Sequence, residues 1–402
     1  MTVKAASKAF TREAGIKRRL RRHLSALGFE KARDGTLVLP DASKDTVRSL
    51  HRQQRNEKLM ESAALINEKL PQLLDRFASG ADVDPNRIKP VLQRISSHTW
   101  ESDLFRIASL TWTVPVSAGF GRRIRYLVWD ESNGKLIGII AIGDPVFNLG
   151  VRDKLIGWNA ADRAKRLVNI MDAYVLGAVP PYNALLGGKL VASLVRTRDV
   201  YDDFAKIYGD TKGIISRKKK SARLLAITTS SSMGRSSVYN RLKLNETEYF
   251  RSIGYTGGWG HFHIPDDLFI EMRDYLRGNK HTYADKHQFG DGPSWRLRTV
   301  REALHALGFK QDILKHGIQR EVFICEMAAN SLKLLAGTGK RPNLRSLLSA
   351  DDVGTLAVQR WMVGRAGRRP EYRGWSRENV RNLLGLSTEA SRDRRLVAVA
   401  VR

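Results

Sequence analysis

The sequence predicts an α/β protein in which a mixed central sheet is flanked by basic helical N- and C-terminal segments. Three observations predict it. Residues 124–145, IRYLVWDESNGKLIGIIAIGDP, are two apolar runs around Asn133-Gly134, the dipeptide that favours the tight turn of a β-hairpin. From 161 to 242, helical and strand-like stretches alternate. On either side of 101–292 the patterns are helical and dense in arginine and lysine. The expected organisation is a basic helical region over 1–100, an α/β core over 101–292 and a basic helical region over 293–402.

Each element has its own signal. GIKRRLRRHLSALGF (15–29) puts Leu20, Leu24 and Leu27 at helical spacing, with Arg18, Arg19, Arg21 and Arg22 around them and Gly28 as the C-terminal cap. A longer helical pattern runs from about Ser43 to Leu70 and stops at Pro71. The second run of the hairpin is apolar almost throughout, which suits a central strand covered on both faces. ADRAKRLVNIMDAYVLGAVPPYN (161–183) starts helical and passes into an apolar run that stops at Pro180-Pro181. ALLGGKLVASLV (184–195) then reads as a helix. Residues 212–242 hold a basic loop, a strand near 223–229 and a Ser/Gly-rich turn into another strand. From about 295 the pattern is helical again, and Ser376 is placed to cap the last helix. REALHALGF (301–309) echoes RRHLSALGF (21–29); two similar helix ends with glycine caps account for it better than a repeat does.

Charge narrows the function. The 402 residues carry 69 Lys and Arg against 41 Asp and Glu, a formal net charge of +28. A folded chain with that excess calls for a polyanionic partner, and nucleic acid leads because each neutralised phosphate releases counterions. No stretch is long and apolar enough to span a bilayer, and the single cysteine, Cys325, fits a reducing compartment. The expectation is a cytoplasmic, nucleic-acid-associated protein that does not engage a membrane. A phosphate loop is missing: Asn183 stands where a Walker motif needs glycine, and Leu190 where it needs Ser or Thr. Paired Cys-x-x-Cys motifs and a clean G-x-S-x-G elbow are missing too.

Three stretches and three basic runs carry candidate chemistry. GDPVFNLGVRDKLIGWN (143–159) follows the central strand and brings Asp144, Arg152 and Asp153, with Arg152 and Asp153 readable as binding groups or as a local ion pair. Tyr239, after GRSS, is a candidate acid or stacking residue, with an aromatic core role as the plainer alternative. In GYTGGWGHFHIP (254–265), His261 and His263 would share one strand face. Proton transfer and strand packing are both open for them, and a metal site completed by Asp266, Asp267, His281 or His287 is the least favoured reading. Its glycines, Gly254, Gly257, Gly258 and Gly260, permit positive φ or close backbone approach. The basic runs Arg18, Arg19, Arg21 and Arg22; Arg217, Lys218, Lys219 and Lys220; and Arg368, Arg369 and Arg373 with Tyr372 and Trp375 are the candidate nucleic-acid contacts. The last run pairs charge with rings that stack on bases.

Taken together, GDPVFNLGVRDKLIGWN, MDAYVLGAVPPYNALLGGKL, TTSSSMGRSSVYNRLK and GYTGGWGHFHIP resemble the DruA family of the Druantia anti-phage defence system, in blocks from about residue 100 to 290. The resemblance implies a phage-defence protein whose partners are other Druantia proteins, including a large helicase-like protein. It implies no catalytic residue. A fainter likeness is to the GNAT acyltransferase fold and its Mom-like, adenine-modifying branch, in the order hairpin, long strand, turn, helix, strand over 124–242. That fold binds coenzyme A pyrophosphate at a helix N-terminus. The matching window here, Asn183 to Gly188 with Gly187, keeps only Gly188 of the fingerprint, so the cofactor stays unassigned. The expectation is a DNA-binding defence component with a GNAT-like pocket formed by 143–159, 183–188, 239–241 and 254–263. In it Asp144, Tyr239, His261 and His263 transfer protons, Arg152 orients an anionic group, and Asp153 is a further catalytic candidate. The alternatives are a non-enzymatic DNA sensor that loads the helicase partner, or a metal-dependent nuclease using Asp144, Asp153, Asp202 and Asp203.

Overall fold

The computed structural model describes residues 11–33, 37–41, 43–117, 119, 121–212, 219–261, 263–285, 295–309 and 311–386. Its main sheet has eight strands: β1 (Pro90–Ile95), β2 (Arg123–Asp130), β3 (Lys135–Gly143), β4 (Ile170–Ala178), β5 (Ala226–Ser230), β6 (Leu242–Leu244), β7 (Thr247–Tyr255) and β8 (Glu321–Glu326). The helices used below are α1 (Arg12–Ala26), α2 (Ala63–Leu73), α3 (Trp100–Leu110), α4 (Gly150–Ile156), α5 (Gly187–Leu194), α6 (Arg198–Tyr208), α7 (Asp266–Gly278), α8 (Trp295–Ala306) and α9 (Ala350–Ala357). The chain divides into two compact units: residues 55–254 with 321–402, which hold the sheet, and residues 1–54 with 255–320.

In the sheet unit the strand order is β6-β7-β8-β5-β4-β3-β2-β1. β1 to β4 pair antiparallel in sequence, β4 pairs parallel with β5, and β5 antiparallel with β8, so the sheet is mixed. The predicted hairpin is β2–β3, and Gly134 takes φ 68 in its turn. β3 is buried on both faces, as its unbroken apolar run requires. Ile137, Ile140 and Ile142 enter a core shared with α5, α6 and α9, whereas Leu136, Ile139 and Ala141 enter one shared with α2 and α3.

Several expectations shift in detail. Two strands of the main sheet arise from the flanks expected to be helical, β1 and β8, and the N-terminal flank also holds the short antiparallel pair Glu30–Lys31 with Leu37–Val38. β8 lies in the middle of the sheet. EVFICE is short enough that its apolar run fits a buried strand or a helix segment equally, and only its pairing with β5 decides. The pattern from 43 to 70 breaks into Lys44–Leu50, Arg52–Glu61 and α2, and α2 runs past Pro71 to Leu73. Pro71 falls in the last turn of α2, where the missing N–H removes one bond at a helix end that frays in any case. At the C terminus, Ser376 accepts from the Glu378 N–H at 3.3 Å and its carbonyl from Asn379 at 3.0 Å, opening the turn that leads into the helix Asn379–Leu383.

In the second unit, α1 ends as predicted, with Gly28 at φ 83 and Phe29 N–H returning to Leu24 O at 3.0 Å. α8 ends the same way, with Gly308 at φ 71 and Phe309 N–H bonded to Leu304 O at 2.8 Å. The echo between 21–29 and 301–309 is thus one capping motif used twice. Among the described residues, no helix is long and apolar enough to cross a membrane.

Cys325 lies in β8, completely buried, and burial raises its thiol to about 12. A thiol reagent is expected to label it only on unfolding. Ile140→Ala should lower the urea midpoint of that labelling by the equivalent of about 2–5 kcal/mol.

Candidate functional site

β4 pairs with β5 only over Ile170–Asp172 against Ala226–Thr228, although β4 continues to Ala178 and β5 to Ser230. The backbone pairing therefore ends at the Asp172–Thr228 rung, one residue beyond which the Thr229 hydroxyl still donates to Ala173 O at 2.9 Å. On one face of that rung Asp172 stands between Gly143, its partner on β3, and Thr228, whose hydroxyl donates to Oδ1 at 2.7 Å. Among the described residues no donor reaches Oδ2. Gly143 contributes no side chain, and a Cβ there would meet the Tyr174 ring at 3.0 Å. Directly paired residues project to the same face, so Tyr174 covers this gap beside Asp172. Gly119, at φ +65, lies against the same ring, where a Cβ would be 2.6 Å away. One step down the face, Ile170 and Ala226 sit in an apolar cluster with Trp158, Ile324 and Leu335.

Asp172 is thus partly exposed, yet closely surrounded by protein. That enclosure raises its carboxyl to about 6, against the opposing pull of the Thr228 hydrogen bond and the positive charge of Arg152. An enclosed carboxyl with one held oxygen and one open oxygen can accept or release a proton near neutrality.

Arg152 and Asp153 build the neighbouring wall from α4. Arg152 is completely buried. Its Nε and Nη2 donate to Asp153 Oδ1 at 2.9 and 2.7 Å, Nη1 to Val146 O at 2.9 Å and Nη2 to Phe147 O at 2.9 Å. Asp153 Oδ2 accepts from Arg163 at 2.6 Å, and Arg163 lies over the Phe147 ring at 4.9 Å. This is the local ion pair foreseen as one of two readings, and it holds loop 146–153. Val146 and Phe147 are left 49% and 43% exposed at its rim. Asp144 accepts from Arg122 Nε at 2.7 Å and from its backbone N–H at 3.0 Å.

Tyr239 packs between Phe250 and Phe323, each 5.3 Å away between ring centres, and burial raises its phenol to about 12, with Thr229 as its hydrogen-bonding neighbour. Lys189 of α5 donates to Val238 O and Asn240 O, both at 3.0 Å, and so pins the segment that carries Tyr239. At the start of α5, Gly187 N–H bonds Tyr182 O and Lys189 N–H bonds Leu186 O, each at 2.8 Å, so these amides serve the turn itself. A Cβ at Gly187 would sit 2.6 Å from Tyr182 O, whereas Gly188 faces Val238, and Asn183 is exposed on the turn.

Of the 254–263 stretch, Gly254 belongs to the sheet unit and the remainder to the other. There residues 256–260 run beside 314–320. Gly258 at φ 62 meets Gly317 at φ 72, with Gly317 N–H donating to Gly258 O at 3.1 Å and a Cβ on Gly258 landing 2.9 Å from the Gly317 backbone. His263 is 2% exposed; its Nε2 donates to Ile313 O at 3.0 Å and its ring packs against Phe29 and His316. His23 Nε2 donates to His263 O at 3.0 Å, and His316 Nδ1 accepts from Ile318 N–H at 3.1 Å. Burial holds His261 at about 4, His263 at about 3 and His316 at about 4. Among the described residues no three His, Cys, Asp or Glu side chains converge as metal ligands would. Of the carboxylates a nuclease would use, Asp144, Asp153 and Asp203 are each held by an arginine, and Asp202 is exposed.

The basic runs are placed unevenly. Arg18, Arg21 and Arg22 are exposed on α1; Arg19 pairs with Asp267 and Glu271, and Arg21 lies over Phe309. Arg217 and Lys218 lie outside the described residues, as do the side chains of Lys219 and Lys220. Arg368, Arg369 and Arg373 are exposed, whereas Tyr372 is 4% exposed and Trp375 is packed against the α2–α3 core. Asp172, Thr228, Tyr174, Arg122 and Arg163 escaped the sequence reading. The available signal was a lone aspartate inside the apolar run NIMDAYVLGAV, because a polar residue bound for burial is the informative one.

The family model described as Druantia protein DruA matches residues 41–337. The chain belongs to the DruA family. It is 62% identical over 370 residues to the Druantia protein DruA of Escherichia coli (strain UMEA 4076-1), a match covering 92% of this chain and 91% of that protein. As a DruA-family member it is a component of the Druantia anti-phage defence system. No solved structure matches it.

Two outcomes follow for this DruA-family chain. Arg152→Ala would leave the buried Asp153 with less than its full counter-charge and should cost about 3–5 kcal/mol in urea unfolding. His261, His263 and His316 are neutral when folded, but take up protons near the ordinary 6.5 when unfolded. Their contribution is complete above about pH 6.5 and is lost as pH falls toward 4. The urea midpoint of the full chain should drop across that window, and by less in His263→Asn.

Proposed function

We propose that this chain is the DNA-binding component of its Druantia system, acting alongside the helicase-like partner. One observation carries the reading. Around the start of α5, Lys189, Arg241, Arg360 and Arg365 have no carboxylate partner among the described residues. Burial, and then the charges of Arg241 and Arg360, pull the Lys189 ammonium below its usual value. Cations crowded closely enough to disfavour one another are stabilised by a polyanion. Arg360 lies in a π-helical turn, Val358–Val363, and Arg365 donates to Ala184 O at 3.3 Å, so the fold holds these groups together at a cost. The net charge of +28 supports the same partner. The order hairpin, long strand, turn, helix, strand supports a GNAT-like reading of the core.

Fluorescence anisotropy with labelled single- and double-stranded DNA tests the proposal. Log affinity should fall linearly with log salt between about 50 and 200 mM, and Arg241→Glu with Arg360→Glu should weaken binding about 10-fold or more and flatten the slope. Equal affinity of this folded variant at every salt concentration, or no binding by the parent at low salt, refutes it. Binding without strand breakage or a change in nucleoside mass would favour the sensor that loads the helicase partner.

A further inference from the structure

We infer that β1, at one edge of the eight-stranded sheet, is the surface on which a second copy of this chain docks, the two β1 strands pairing antiparallel about a two-fold axis at Gln93. This association is independent of the DNA-binding proposal, because it uses backbone groups and apolar side chains in place of cations.

The two edges of the sheet are built differently. β6 has three residues, a register shift against β7 between Leu242 and Lys243, and an exposed lysine at its centre. These are the devices that keep an edge from pairing further. β1 lacks them: its six residues pair with β2 in unbroken register, and its one cation, Arg94, is held by Asp203 at 3.1 Å. The phase of the pairing fixes which groups point outward. Glu131 N–H donates to Lys89 O at 2.9 Å, so Val91, Gln93 and Ile95 bond β2. Leu92 and Arg94 therefore turn their N–H and C=O away from the sheet, where no backbone group among the described residues bonds them. Pro90 shares that phase and lacks an N–H, as suits the outer side of an edge strand.

A two-fold axis at Gln93 sets Leu92 opposite the partner's Arg94 and Arg94 opposite the partner's Leu92. All four outward N–H groups then meet a carbonyl, and no like charges stand directly opposite. An axis at Leu92 would instead place Pro90, without a donor, opposite the partner's Arg94. The side chains fit the axis at Gln93. Val91, 37% exposed, meets the partner's Ile95. Gln93 Oε1 accepts from Trp129 Nε1 at 2.7 Å, which leaves its amide N–H donors for the partner's Gln93. Beside Val91, Trp129 and the 45% exposed Trp100, with ring centres 6.2 Å apart, extend the apolar surface. The strand is thus complementary to itself, which a closed two-fold pair requires. Two copies of charge +28 repel at a distance, so this dimer tightens as salt is added, the reverse of DNA binding.

Sedimentation equilibrium of the full chain, over a series of concentrations and salts, should show a monomer–dimer equilibrium that strengthens with salt. Cysteine cross-linking tests the register. Cys325 is buried, so an introduced cysteine reports alone. In Gln93→Cys the thiols meet at the axis, in a non-hydrogen-bonded pair about 4.5 Å apart between Cα atoms, and mild oxidation should link them. Val91→Cys, at a more exposed position, faces Ile95 and should not link. Arg94→Pro removes one outward N–H per copy, leaves the β1–β2 bonds intact and should weaken the dimer about 10-fold or more. If that variant fails to fold, Val91→Arg, an exposed change outside the core, sets a cation against Ile95 and should weaken it likewise. A monomer under every condition overturns the inference and leaves the edge to a strand of another chain or to solvent. A dimer untouched by these changes, or one in which Val91→Cys links as fast as Gln93→Cys, overturns it too. DNA binding lost in a chain that still dimerises refutes the DNA-binding proposal alone.

Discussion

A guanidinium with no exposed surface is the constraint around which the sheet unit's site is arranged. Arg152 remains buried only because Asp153 and the carbonyls of Val146 and Phe147 take four of its hydrogen bonds, and because Arg163 closes the other side of Asp153. Two cations share that one carboxylate, so residual positive charge remains next to Asp172. Enclosure raises the carboxyl to about 6, against the Thr228 hydrogen bond and, after it, this positive charge, both of which lower it. The loop and the Asp172 carboxyl are therefore coupled through Arg152. Removing Arg152 would release the loop and shift Asp172 upward together.

The same use of arginine explains how a chain of such charge folds. Arg196 is 4% exposed and binds Glu326 O, Ser346 O and Ser346 Oγ; Arg122 binds Asp144 and Val168 O and lies over Phe204. The planar fork ties distant carbonyls together in a way an ammonium cannot. Part of the +28 is thus structural, and composition alone overstates the surface available to a phosphate backbone. Around Lys189, by contrast, Arg241 and Arg360 add their charges to an ammonium that burial already disfavours.

Local patterns were legible and long-range ones were not. The β2–β3 hairpin follows from Asn133-Gly134 between two apolar runs, and the Gly28 cap from its place after Leu27. β8 was hidden because EVFICE becomes a strand only by pairing with β5, about a hundred residues earlier. Asp144, Asp153 and Tyr239 were found as polar groups beside apolar runs, but their partners, Arg122, Arg163 and the rings of Phe250 and Phe323, come from other elements. Asp172 was overlooked for the opposite reason. A single carboxyl in an apolar strand looks like noise until the backbone pairing beside it ends. Tyr372 and Trp375 show the converse: aromatics among arginines suggested stacking, yet their rings are needed by the core, which sequence spacing does not reveal.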